Sequence, residues 1–191
     1  MTRLPTLPTY LEAMQQLLAF ILRIPPVDPS TSLRTTFLLR LTGDVMNSIP
    51  GYPPDIKDLP HLLDFLDDLD QAWLAVLRSQ IWDAESGEGV DLVIPIDVID
   101  SQNSAKNKGT VITSTPVNQT ERTRLRSLLI TGTASLEEWL TGLDTGGEDY
   151  QLALERAGIQ QSFDDLFSLT LAEMGSFEGM MNIPAGMEGT C

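Results

Sequence analysis

Four aspartates within one short stretch, Asp64, Asp67, Asp68 and Asp70, are the residues whose type and spacing come closest to chemistry. Carboxylates three and four residues apart share a helical face and can hold a divalent cation. A metal-dependent hydrolase built on them would need a second acidic cluster, for which Glu137-Glu138 or Asp164-Asp165 could serve. It would also need a basic set to hold a phosphate, and none is matched to it. A solvated acidic helix face accounts for all four residues without a metal, so no metal site is assigned.

Other catalytic schemes find less. His61 is the only histidine and Cys191 the only cysteine. A Ser-His-Asp scheme would have to pass through that one ring, which follows Pro60 in a helical first turn. There is no G-x-S-x-G elbow, no G-x-x-x-x-G-K-[ST] loop and no G-x-G-x-x-G after a strand. The chain reads as a non-enzyme without a cofactor.

The aspartates belong to Leu59–Gln80, the stretch that organises the rest. Leu59, Leu62, Leu63, Leu66, Leu69, Trp73 and Val76 recur at three- and four-residue steps, with Asp64, Asp67, Asp68 and Gln71 opposite. So broad an apolar stripe requires covering helices. Upstream, Thr9-x-x-Glu12 reads as a capping box for a helix ending before Pro25-Pro26. Asp28-Pro29 opens a second helix with Leu33, Phe37, Leu38, Leu41, Val45 and Ile49 on one side. Asp58 caps the third, with Pro60 in its first turn.

After Trp82 the helical period ends. Val90–Ile99 alternates at strand spacing, although Pro95 restricts it to an edge, and Val111-Ile112-Thr113 can pair back on it. Beyond that, Asn118-x-x-Glu121, Ser135-x-x-Glu138, Thr145-x-x-Glu148 and Ser162-x-x-Asp165 each open a helix. Gly132, Gly142, Gly158 and Gly175 stand at the four exits. The expectation is a mainly α bundle of about six or seven helices with an irregular, β-hairpin-like insert. Its divisions are an N-terminal three-helix half over 1–82, an insert over 83–117, a C-terminal helical half over 118–175 and a loose Gly/Met-rich tail over 176–191.

Charge bounds the partners. The chain carries 27 acidic and 12 basic residues, a formal net of −15. That repels phosphate backbones and anionic membranes, so neither nucleic acid nor membrane is an expected ligand. Lys106, Lys108, Arg122, Arg124 and Arg126 form a basic stretch between two acidic blocks, which they serve to neutralise. The apolar run Leu17–Ile24 is too short to span a bilayer, no secretory signal is apparent, and the sequon at Asn118 is a chance match. With one cysteine, a reducing intracellular setting, nuclear or cytoplasmic, is expected.

Two patterns point to protein binding. Leu59-Pro-His-Leu62-Leu63 has LxxLL spacing but continues the core stripe. Phe163, Leu166, Leu169 and Leu171 have the spacing of a leucine-rich export signal, followed by Met174 and Phe177 in a Met-rich segment. The expected protein-binding residues are these six with Leu92, Ile94 and Ile96 of the insert. The function that follows is a non-enzymatic helical adaptor or structural subunit of an intracellular multiprotein complex. The alternative is an acidic chaperone or sequestering protein for a basic client, such as a histone or ribosomal protein.

Overall fold

The computed structural model describes residues 6–92, 114–147 and 149–181, with side chains described through Gly175. It is mainly helical, with one small antiparallel hairpin. Helix α1 spans Leu7–Leu22, α2 Ser30–Ser48 and α3 Leu59–Leu77, with a 3-10 turn at Ile49–Gly51. Strands β1 (Ile81–Asp83) and β2 (Glu88–Val90) follow, and then α4 (Gln119–Leu140), α5 (Tyr150–Ala157), α6 (Gln160–Asp164) and α7 (Ser168–Met181).

Helix α3 lies at the centre, packed against α1, α2, α7 and both strands. Every residue of its anticipated stripe is buried, and Phe65, Asp70, Ala72, Ala75 and Leu77 are buried with them. Three long-range hydrogen bonds fix the directions of its neighbours. Tyr10 Oη donates to Asp44 O, Trp73 Nε1 to Thr42 Oγ1 and Arg34 Nη1 to Gln80 O. Each joins the beginning of one helix to the end of the next, or two midpoints, so α2 runs against both α1 and α3. Gly43 and Gly132 of the α2–α4 pair approach Leu128 and Met46 respectively, which sets α4 parallel to α2.

Local starts differ from the capping pattern in the sequence. Helix α1 begins at Thr6, whose hydroxyl accepts from Thr9 N, so Thr9 lies inside the first turn. Pro29 rather than Asp28 precedes α2. The Asp28 carboxylate accepts instead from Thr115 N and Oγ1, at 3.3 and 2.8 Å. Asp58 makes no side-chain cap on α3. Asn118 does form its capping box with Glu121.

The hairpin is displaced from its expected place. It is formed by Ile81–Asp83 and Glu88–Val90, ahead of the expected segment. Trp82 pairs with Gly89 and Ile81 with Val90. The Asp83 carboxylate accepts from Glu85 N and Ser86 Oγ, closing the turn locally. The anticipated strand over Val90–Ile99 and its return at Val111–Thr113 lie almost wholly outside the described residues.

In the second half, two anticipated helices are one. Gly132 is not an exit but the closest approach of α4 to α2, where a Cβ would stand 2.5 Å from Met46 Cε. Asp149, not Thr145, caps α5, while Gly158 ends it at φ 72 as its position implied. The single helix expected from Ser162 is broken into α6 and α7. At the break Phe167 takes φ 58 and buries its ring in the core. Gly175 stops nothing, since α7 continues to Met181. No helix among the described residues is long and apolar enough to cross a membrane.

The two glycines should respond oppositely. Gly132→Leu forces α2 and α4 apart and should cost about 1–3 kcal/mol in urea unfolding. Gly175→Ala meets nothing within 4 Å and should stabilise by about 0.5–1 kcal/mol, because it removes a flexible residue from a helix interior.

Candidate functional site

The four aspartates differ in burial. Asp64 and Asp67 are exposed, while Asp68 is half-buried and accepts from Gln15 Nε2 of α1. Asp70 is only 4% exposed. Its Oδ1 accepts from Thr170 N at 2.9 Å and its Oδ2 from Leu169 N at 3.3 Å, while Thr170 Oγ1 donates to its backbone carbonyl. Asp70 therefore supplies from α3 the cap that the free amides at the start of α7 require. Among the described residues no group of three or more His, Cys, Asp or Glu side chains could hold a metal ion. His61 is exposed at the start of α3, in a shallow recess with Pro8, Leu11 and Glu12 of α1.

Asp64 and Asp67 nevertheless border a groove of about 460 Å³ between α3 and the α6–α7 break, with Asp165 on its other wall. Leu63, Leu66 and Phe167 line it together with the buried Asp70. Burial, and then the charges of Asp70 and Asp64, hold the Asp67 carboxyl above its ordinary range. Asp68 is raised as well, first by burial, with its Gln15 hydrogen bond opposing. A larger open groove, about 790 Å³, runs between α2 and α4 over Met46 and Leu128. Thr120, Thr123, Ser127 and Arg124 form its wall, and no acidic residue lines it.

The expected binding residues are placed unevenly. Phe163, Leu166 and Leu171 are half-buried, Met174 is in the core and Leu169 is exposed. Phe177 lies on α7, and Leu92 is half-buried just after β2. Ile94 and Ile96 lie outside the described residues, as do Lys106 and Lys108. The export-signal spacing is thus spread over two helices with a break between them. Arg78 Nε and Nη2 clamp Glu173 Oε2 at 3.0 and 2.7 Å, pinning α7 to α3. Within the basic stretch, Arg122 Nε donates to Val117 O, and Arg124 is exposed on the α2–α4 groove.

The most exposed large apolar side chain of the described fold, Phe20, belongs to a different surface. Leu17 and Phe20 on α1 are 47% and 64% exposed, and Leu33 and Phe37 on α2 are 47% and 43%. The Tyr10–Asp44 hydrogen bond sets the level of the two helices. Seven residues on in α1 and seven back in α2, about 10 Å along the axes, Leu17 and Phe37 come level, with Phe20 and Leu33 one turn further. The four thus lie at matching levels on two adjoining antiparallel helices.

Comparison with protein-family models, curated proteins and solved structures finds no match.

The sequence did contain a signal for Asp70 that charge clustering obscures. Asp70 follows Leu66 by four residues and Leu63 by seven, which places it inside the apolar stripe rather than with Asp64, Asp67 and Asp68. The same holds for Arg34, four before Leu38 and seven before Leu41. Conversely, Leu33 and Phe37 look like core by type. The buried face of α2 instead centres on Thr35, Leu38, Thr42 and Val45, and leaves them outside.

Asp70→Ala should destabilise by about 1–3 kcal/mol and speed hydrogen exchange at the Leu169 and Thr170 amides more than in α1. Asp67 gives a pH signature. A carboxyl raised by folding carries a penalty while it is charged. That penalty is complete above the raised value and released as pH falls through it toward 3.8. Asp67→Asn should therefore raise the melting temperature at neutral pH, and the gain should shrink as pH approaches about 4.

Proposed function

We propose that the protein is a non-enzymatic helical adaptor or structural subunit of a multiprotein complex, and that it acts by binding an amphipathic helix of a partner across the α1–α2 seam. The observation that carries this is the exposure of Leu17, Phe20, Leu33 and Phe37 on two adjoining antiparallel helices. Single exposed apolar residues are ordinary, whereas four at matching levels on two adjoining helices suit a surface that gains by being covered. The occupant is argued from shape and charge. A third helix laid along a two-helix seam completes a local bundle and meets the patch with its own three- and four-residue spacing. A second copy of the chain would bring another net charge of −15 against the first. The same charge disfavours nucleic acid and anionic membrane, and the lone cysteine suits an intracellular setting.

The second reading, an acidic chaperone for a basic client, draws on the α3–α6 groove, where Asp64, Asp67 and Asp165 stand beside Leu63, Leu66 and Phe167. A basic residue with a long aliphatic stem suits such a groove.

The test is to purify the tagged protein from its cells as wild type and as Phe20→Ser/Phe37→Ser, with circular dichroism confirming that the variant folds. The adaptor reading expects partners that survive high salt and are lost from the variant. A photo-crosslinker at position 33 should then attach to a helical segment of the same partner. Clients that wash off at physiological salt and are lost instead from Asp64→Asn/Asp67→Asn/Asp165→Asn would transfer the function to the acidic groove. Retention of every partner by the seam variant would defeat the first reading.

A further inference from the structure

Arg34 is 1% exposed, and its Nη1 donates to Gln80 O at 2.7 Å, so the guanidinium sits at the C-terminal end of α3. Its Nε and Nη2 have no hydrogen-bond partner among the described residues. Those two N–H groups share one edge of the planar guanidinium, the edge that fits carboxylate oxygens. The fold uses that edge elsewhere, since Arg78 turns its Nε and Nη2 on Glu173. Among the described residues, Arg34 has the edge without the acid. Burial lowers its pKa to about 10 from 12.5.

Two hydroxyls accompany it. Thr31, one turn earlier on the same face of α2, is 6% exposed, and its Oγ1 also lacks a partner. Arginine side chains on a helix lean toward its N-terminus, which carries the Arg34 stem in the direction of Thr31. Ser114 Oγ is the second such hydroxyl. Its neighbour Thr115 is bound to Asp28, just ahead of α2, which brings Ser114 to the same helix end. Buried polar atoms are almost always paired, and a buried cation with two of its three nitrogens unpaired is among the costliest exceptions. Water could satisfy the hydroxyls but would not balance the charge.

We propose that Arg34, Thr31 and Ser114 form a buried receptor for a small carboxylate ligand. The two ligand oxygens take the Nε–Nη2 edge of Arg34, and the hydroxyls donate to their remaining lone pairs. The Gln80 carbonyl holds the guanidinium from the far side, so the edge is oriented before the ligand arrives. A monoanion neutralises the single buried cation, whereas a doubly charged phosphate would leave an excess negative charge in the interior.

The experiment uses the full chain and sodium acetate as the probe, with sodium chloride as the control at equal ionic strength. The Nε–H resonance of Arg34, assigned by its loss in Arg34→Lys, should move and saturate with acetate but not with chloride. The melting temperature should rise with acetate in the wild type alone. Thr31→Val should bind acetate roughly tenfold more weakly, the loss of one hydrogen bond to a charged group. Without ligand it should be no less stable, since it removes an unpaired hydroxyl. Arg34→Met should gain ligand-free stability and lose the acetate response, a pairing that a purely structural arginine would not give. Should Arg34→Met fail to fold, the wild-type resonance and Thr31→Val still decide. The proposal is overturned by an Nε signal indifferent to acetate, by an equal response to chloride, or by unchanged acetate binding in Thr31→Val. An Nε–H already shifted and exchange-protected in ligand-free buffer would also overturn it, because the chain would then fill the edge itself.

Discussion

The constraint on which the fold depends is the burial of α3. Twelve of its nineteen residues are buried, and only a strip that includes His61, Asp64 and Asp67 is left to water. A helix buried that far must be covered on all its other sides, and α1, α2, α7 and the hairpin do so. Gly89 of the hairpin packs so closely on α3 that a Cβ there would stand 2.7 Å from Ala75 Cβ. Each polar atom that α3 carries inward must also find a partner inside. Trp73 Nε1 finds Thr42 Oγ1, whose hydroxyl in turn donates a hydrogen bond to Leu38 O. Asp70 finds the first amides of α7.

Among the described residues two buried charges, Asp70 and Arg34, stand near helix ends. The negative Asp70 is at the N-terminus of α7, and the positive Arg34 donates to Gln80 O, just beyond the C-terminus of α3. Each placement agrees with the helix dipole it meets, and Asp70 also satisfies amides that α7 cannot satisfy for itself. The two differ in completeness. Asp70 has a donor for each oxygen, whereas Arg34 has an acceptor for one of its three nitrogens. A structural role accounts for the first fully and for the second only in part.

The surface divides into regions of different chemistry. Apolar side chains stand exposed on α1 and α2, carboxylates rim the α3–α6 groove, and hydroxyls with one arginine line the α2–α4 groove. The segment with export-signal spacing is held down by Phe167 and Met174 in the core and by the Arg78–Glu173 pair. Exposing it would require breaking that packing.

Sequence alone determined the helical class, the three N-terminal helices and the stripe of α3. Those follow from short-range periodicity, and a seven-position apolar repeat can be buried in only one way. It also determined the Asn118 box and the Gly158 exit, whose physics is confined to a few residues. Tertiary structure decided the rest. Gly132 has the same local signature whether it ends a helix or admits a neighbour, and only Met46 on α2 distinguishes them. Leu33 and Arg34 stand side by side in sequence, yet packing turned the leucine outward and the arginine in. Residue type sets the cost of burial, but the direction from which the covering helices arrive sets which face is buried. That direction depends on residues far away in the chain, which local spacing does not encode.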